Sequence, residues 1–148
     1  MKIDNRRARH EYQIYDRLEA GIQLIGSEVK SIKSGRIKLD GAHVRIIAGE
    51  AFLINASVPL YEFAQVNDYK PSRTRKLLLR KKQLVSLETK LNGGKLTLIP
   101  LSCYTNKRGI IKIDLGLVRQ KKAHDKRKEI RQRDLERDTQ RALREKET

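Results

Sequence analysis

Three stretches of this chain concentrate side chains that bind anions. They are "NRRARH" at 5–10, "SRTRK" with "RKK" at 72–76 and 80–82, and "RQKKAHDKRK" at 119–128. Tyr12, Tyr61, Tyr69 and the histidines His10, His43 and His124 are interleaved with them. Lys and Arg neutralise phosphates, while tyrosyl and imidazole rings stack on unpaired bases. One such cluster describes an ordinary solvated surface. Three, with rings between them, make RNA the leading ligand class.

Bond-making chemistry finds no comparable support. The chain holds no G-x-S-x-G, no P-loop and no G-x-G-x-x-G. Cys103 has no Cys or His at metal-ligand spacing, so no zinc site is expected. Asp114 and Glu28 are carboxylates whose spacing asks for no convergence. We expect no catalytic residue, no metal and no cofactor.

The charge balance points the same way. The 148 residues carry 34 Lys and Arg against 18 Asp and Glu, a formal +16. Residues 119–148 hold twelve of the basic and seven of the acidic side chains, so residues 1–118 are basic as well. Such a charge speaks of polyanionic partners: nucleic acid first, an acidic membrane surface second. The second lacks the large apolar face it would need. A single cysteine fits a reducing compartment. "MKIDNRRARHEY" has no apolar stretch for a signal peptide, and no run approaches a membrane span. A cytoplasmic, monomeric protein is expected.

These side chains must be positioned by a small body. Residues 11–25 alternate loosely as a strand, with Gly21 as a bend or bulge. "GSEVKSIKSG" (26–35) reads as a short helix capped by Ser27, with Glu28 in its first turn, Val29 and Ile32 inward, and Gly35 at its end. Residues 43–58 read as a hairpin turning at Ala48-Gly49-Glu50, with Val44 and Ile46 alternating on one arm and Phe52 and Ile54 on the other. A long polar connection covers 59–76. "KLLLRKKQLVSLETKL" follows, with Leu84, Leu87 and Leu91 at helical spacing and Asn92-Gly93-Gly94 as the stop. Two last strands flank a turn at Thr105–Arg108, and in the second Ile111, Ile113, Leu115 and Leu117 share one face.

About six strands and two inserted helices in so short a chain predict a mainly β fold. A small antiparallel barrel of the OB type would hide its edges. The β pattern ends at Val118, dividing the chain into a barrel over 1–118 and a basic tail over 119–148. That tail has high helix propensity but only a thin apolar stripe at 123, 130, 135 and 142. It is expected to be disordered when free and helical against a partner.

Five blocks occur in order at fixed intervals: "NRRARHEY" (5–12), "LEAG" (18–21), "GSEVKS" (26–31), "SRTRKLLL" (72–79) and "KKAHDKR" (121–127). Together they resemble the SmpB family, the SsrA-binding proteins that partner transfer-messenger RNA (tmRNA) in bacterial ribosome rescue. The resemblance runs from about Asn5 to the end. It implies an OB-fold barrel with flanking helices and a tail unstructured in solution. It also implies an adaptor that binds the tRNA-like part of tmRNA and delivers it to stalled ribosomes. The implied partners are tmRNA, the alanyl-tmRNA complex with elongation factor Tu, and the ribosome, where the tail enters the 16S decoding centre and the empty mRNA channel.

Residue by residue, the resemblance assigns Asn5, Arg7, His10 and Tyr12 to an RNA-contact block, and Glu19 to a carboxylate needed for RNA binding. Arg73, Arg75 and Lys76 would face phosphate, and Lys30, Leu78 and Arg80 would stand at RNA-binding positions. Lys121, Lys122, His124, Asp125, Lys126 and Arg127 match the decoding-centre motif. Composition alone offers plainer readings: a salt bridge for Glu19, a core leucine for Leu78. Two positions depart from the family pattern. Arg80 stands where Asn or His is frequent, which favours phosphate over a base edge. Gln120 stands where Gly is frequent, which stiffens the joint to the tail. The competing function is a small basic ribosomal protein or a general OB-type nucleic-acid binder.

Overall fold

The structure, a computed structural model, describes residues 1–121 and 123–147; within the last helix the side chains at 127, 130 and 131–144 are described. Among these residues there are seven strands and four helices. Strand β1 (Lys2–Asp4) leads into helix α1 (Arg6–Glu11) and the long β2 (Tyr12–Ile22). Helix α2 (Gly26–Lys33), the hairpin β3 (His43–Ile47) and β4 (Glu50–Ile54), and β5 (Arg75–Leu78) follow. Helix α3 (Lys81–Asn92), β6 (Thr97–Thr105), β7 (Ile111–Gln120) and α4 (Ala123–Glu147) complete the chain.

Every strand pairing is antiparallel, in the order β1-β6-β3-β4-β5-β2-β7. β7 pairs back onto β6, which joins the ends of that order into a circuit with β1 added outside. The seam between β3 and β6 is a single pair, Val44 with Leu98. The fold is mainly β and OB-like, as the sequence predicts.

The alternation of β7 sets the core. Ile111, Ile113, Leu115 and Leu117 are all buried, and they meet Leu77, Leu53, Val44 and Leu98 from other strands. Burying each such side chain stabilises by about 1.5–3 kcal/mol. Ile32 of α2 and Leu87 of α3 close the interior, with Val29, Leu84 and Leu91 packed beside them. Cys103 lies in the same core, and burial pushes its thiol up to about 12.

β6 is buried on both faces, which explains its unbroken apolar run. Ile99 and Leu101 point outward into a second cluster, with Ala8 of α1 and Val118. Gly116 makes this possible, since a Cβ there would lie 2.7 Å from Leu101. Asn5 fastens α1 to the sheet. Its Oδ1 accepts from Ala8 N, and its Nδ2 donates to Leu39 O and Pro100 O.

Several local expectations are corrected. Residues 6–11, taken only as a basic cluster, form α1, because the cap at Asn5 and the buried Ala8 organise one turn and a half. Residues 75–78, run together with the next helix, form β5, where pairing with β4 overrides propensity. On β4 the inward face is Ala51 and Leu53, fully buried, while Phe52 and Ile54 are half-buried. The irregularity in β2 lies between Ile14 and Asp16, not at Gly21. α2 is not capped by Ser27; the Glu28 carboxylate accepts from Ile25 N at 3.1 Å instead. β7 continues past Val118 because Tyr12 and Gln13 pair with Gln120 and Arg119.

Helix α4 is continuous, and all its described side chains are exposed. Ile130 and Leu135 are among them, so this part of the stripe is uncovered, as is Leu143 beside it.

Candidate RNA-binding surface

Four of the expected contact residues, from two stretches of the chain, meet in one groove of about 680 Å³. Glu19 comes from β2, Lys76 and Leu78 from β5, and Arg80 from the N-terminus of α3, with Lys81, Lys112, Glu50 and Gln83 beside them. The strands explain the convergence. β2 lies between β5 and β7, with Gly21 paired to both Leu78 and Lys112.

Leu78 is the apolar centre. Strand alternation turns Leu77 inward, at 2% exposed, and Leu78 outward, at 54%. The core reading of Leu78 is therefore replaced by a surface one. Gly21 lets it lie close across β2, since a Cβ there would stand 3.2 Å from Leu78 Cβ.

Glu19 is exposed, and its Oε2 accepts from the Tyr104 hydroxyl on β6. Burial pushes the Tyr104 phenol up to about 12, and the Glu19 carboxylate adds to the rise. Tyr104 therefore stays protonated and fixes one oxygen of Glu19, leaving the other to accept from a ligand. Asp114 stands across the ladder from Glu19. Burial raises its carboxyl above the ordinary range, and Arg17, at 4.0 Å, works against that rise.

Around these groups stand Lys76, Arg80, Lys81 and Lys112; among the described residues Lys76 alone of the four has a carboxylate partner, Glu50 at 3.2 Å. Arg80 N donates to Gln83 Oε1, which sets the start of α3. The result is an apolar centre, one oriented carboxylate and a rim of cations. Such a surface can take base or ribose on Leu78, accept from a base edge or hydroxyl at Glu19, and pair phosphates around the rim.

The other expected residues lie elsewhere. Arg75 is fully buried, and its five N–H groups are all engaged. Nε donates to Glu28 at 2.7 Å, Nη1 to Ala56 O and Arg73 O, and Nη2 to Pro71 O and Tyr69 Oη. No donor is left for a phosphate. Arg73 spends Nε and Nη2 on the same Glu28 carboxylate. These two arginines hold the 59–74 connection to α2. Burial opposes the charge on Glu28, but the bonds from Arg73, Ile25 N–H and Arg75 outweigh it and lower its carboxyl below the ordinary value.

Asn5 is likewise turned inward. Arg7 pairs with Glu11 at 3.0 Å on the outer face of α1. His10 is half-buried in the last turn of α1, and Tyr12 packs on the cluster beneath that helix. Lys30 lies on α2, 5.6 Å from the centre of the Tyr61 ring. Lys121 donates its N–H to Glu11 O at 2.9 Å, and Arg127 is exposed on α4. Lys122 and the side chains of His124, Asp125 and Lys126 lie outside the described residues.

Sequence reading missed Tyr104, Lys112, Glu50 and Gln83. No local signal marks them: each joins the groove through a cross-strand register or a helix cap.

The pattern of the SmpB protein family matches residues 2–145. The chain belongs to the SmpB family.

A Chlorobaculum tepidum SsrA-binding protein is 46% identical over 93% of this chain and 88% of its own length. One from Desulforamulus reducens is 44% identical over 97% of this chain and 89% of its own. A solved chain from "tmRNA-SmpB: a journey to the center of the bacterial ribosome" is 45% identical, with a TM-score of 0.69, covering 82% of this chain and 85% of that one. SmpB membership accounts for the fold. The five blocks of sequence map onto α1, β2, α2, the β5 region and the root of α4. Among the described residues no helix is long and apolar enough to cross a membrane.

Proposed function

We propose that this chain is an RNA-binding adaptor, not a catalyst. It binds the tRNA-like domain of tmRNA (SsrA RNA) and delivers it to stalled ribosomes for trans-translation. Family membership over nearly the whole chain supports this, as does the likeness to the solved tmRNA-SmpB chain. The observation that carries it is the groove uniting Glu19, Lys76, Leu78 and Arg80. A generic polyanion binder needs only cations. A carboxylate repels phosphate and an exposed leucine ignores it, so their presence among the cations favours contacts to bases and sugars over phosphate alone.

The finer assignment divides labour along the chain. The barrel, 1–118, holds the tRNA-like domain through the groove. Asn5 and Arg75 act from inside, by fixing α1 and the 59–74 connection. Arg7, His10, Tyr12, Lys30 and Arg73 offer secondary contacts. The tail, 119–148, enters the decoding centre and the empty mRNA channel, with Lys121, Lys122, His124, Asp125, Lys126 and Arg127 at its root. Tail helices with their apolar side chains uncovered are marginal in water, so the tail orders fully only where RNA surrounds it. Elongation factor Tu accompanies the alanyl-tmRNA complex to the ribosome.

Two titrations over a range of salt test this reading. One ligand is the tRNA-like domain of tmRNA, the other an elongator tRNA of similar charge. Preference for the tRNA-like domain that persists as salt rises, and falls in Glu19→Gln and Leu78→Ala, supports the groove. Equal affinities and equal salt slopes would favour a ribosomal protein or general nucleic-acid binder.

A further inference from the structure

The joint between barrel and tail carries a feature that the groove does not use. β2 and β7 pair in step from Gly21 with Lys112 to Asp16 with Leu117, and then β2 gains a residue. Ile14 faces Val118, so Tyr15 has no partner across the ladder. A bulge of this kind re-aims a side chain. Tyr15 is 51% exposed, and the Arg119 guanidinium lies 5.8 Å from its ring centre.

Arg119 is uncommitted. Its Nε is buried without a hydrogen-bond partner, and no carboxylate pairs with it among the described residues. Glu11, Asp16 and Asp114 pair with other cations: Arg7, Lys90 at 3.9 Å and Arg17 respectively. A guanidinium lying on a ring is held flat, with its other face and its terminal N–H fork available. The mount is firm. The ladder continues through Tyr12 with Gln120, and Lys121 N–H reaches Glu11 O at 2.9 Å.

We propose that Tyr15 and Arg119 form a second RNA site at the root of the tail. The guanidinium fork takes a phosphate, and the adjoining unpaired base stacks on its open face. The inference rests on the RNA-binding reading above and adds a site outside the groove. Phosphate and base could belong to tmRNA or to ribosomal RNA, and the two arms of the test separate these sources.

The test uses the full chain and the variants Arg119→Lys, Tyr15→Phe and Tyr15→Ala. Each is titrated against the tRNA-like domain of tmRNA and against purified small ribosomal subunits. Arg119→Lys keeps the charge but loses the planar fork, and Tyr15→Ala removes the mount. Each should weaken binding to one of the two RNAs by about tenfold, while Tyr15→Phe stays within about twofold of native. The RNA that loses affinity identifies the source. Native affinity of Arg119→Lys for both RNAs would overturn the proposal, whatever Tyr15→Ala does. Should Tyr15→Ala fail to fold, the other two variants still decide. With elongator tRNA added as a third ligand, a native chain showing no preference over it would sink the adaptor reading; native preference with unaffected variants would sink this site alone.

Discussion

Replacing Glu28 by glutamine removes the one carboxylate that two arginines share inside the fold. Glu28 is 1% exposed and Arg75 is fully buried. In E28Q, Arg73 can turn to water, because a third of its side chain is already exposed. Arg75 cannot follow, since four of its five N–H groups are held by Ala56 O, Arg73 O, Pro71 O and Tyr69 Oη. The variant therefore keeps a guanidinium in the interior with no counter-charge. Breaking a buried pair in this way costs about 3–5 kcal/mol, and the glutamine carbonyl, which still accepts one bond, brings the expectation to about 3 kcal/mol. Denaturant midpoints measure it, with E50Q as the exposed control, where the loss should stay below about 1 kcal/mol. Because the network ties down the 59–74 connection, trypsin should also cut after Arg73 sooner in E28Q. The pH dependence has a definite sign. The folded-state carboxyl is lowered from 4.5, so its contribution is complete above that value and is lost as pH falls through the lower folded one. E28Q should lack that acid-side decline. A loss below 1 kcal/mol, with the acid limb unchanged, would refute the reasoning.

Further outcomes are expected elsewhere in the molecule. Gly116→Ala drives a Cβ to 2.7 Å from Leu101 and should destabilise by about 1–3 kcal/mol, read from the thermal midpoint. Tyr104→Phe releases Glu19 and should weaken tRNA-like-domain binding several-fold without changing the fold. In the native chain, ultraviolet titration should find one tyrosine ionising at about 12. Lys126→Ala with Arg127→Ala should leave affinity for free tmRNA nearly intact yet abolish tagging of stalled peptides; normal tagging would remove the tail from the decoding step.

The parts of the fold that were legible are those whose side chains report burial directly. β7 alternates without exception, and every apolar residue on its marked face is buried. α3 kept its three leucines at helical spacing. β4 was misread because Phe52 and Ile54 look more like core than Ala51, yet the narrow interior takes the small residue. α1 was missed because its one buried residue is an alanine, and its anchor is the polar Asn5. The site was legible in type but not in place. Lys and Arg read alike in sequence whether they reach solvent, like Lys76, or fill the interior, like Arg75. Glu28 looked like a first-turn acid because its partners are 45 and 47 residues away. Leu78 could be sorted from Leu77 only once β5 had a register. Tyr104 joined Glu19 across 85 residues of chain, a distance over which periodicity carries no information.

The central claim is that this chain brings tmRNA to stalled ribosomes, and tagging measures it most directly. A purified translation system lacking any SmpB is programmed with an mRNA that has no stop codon, then supplied with alanyl-tmRNA, elongation factor Tu and this chain. The account predicts tagged peptide only when tmRNA and the chain are both present, with a steep fall in yield for Glu19→Gln. No tagging by the folded native chain, under conditions where a Chlorobaculum tepidum SsrA-binding protein supports it, would contradict the account.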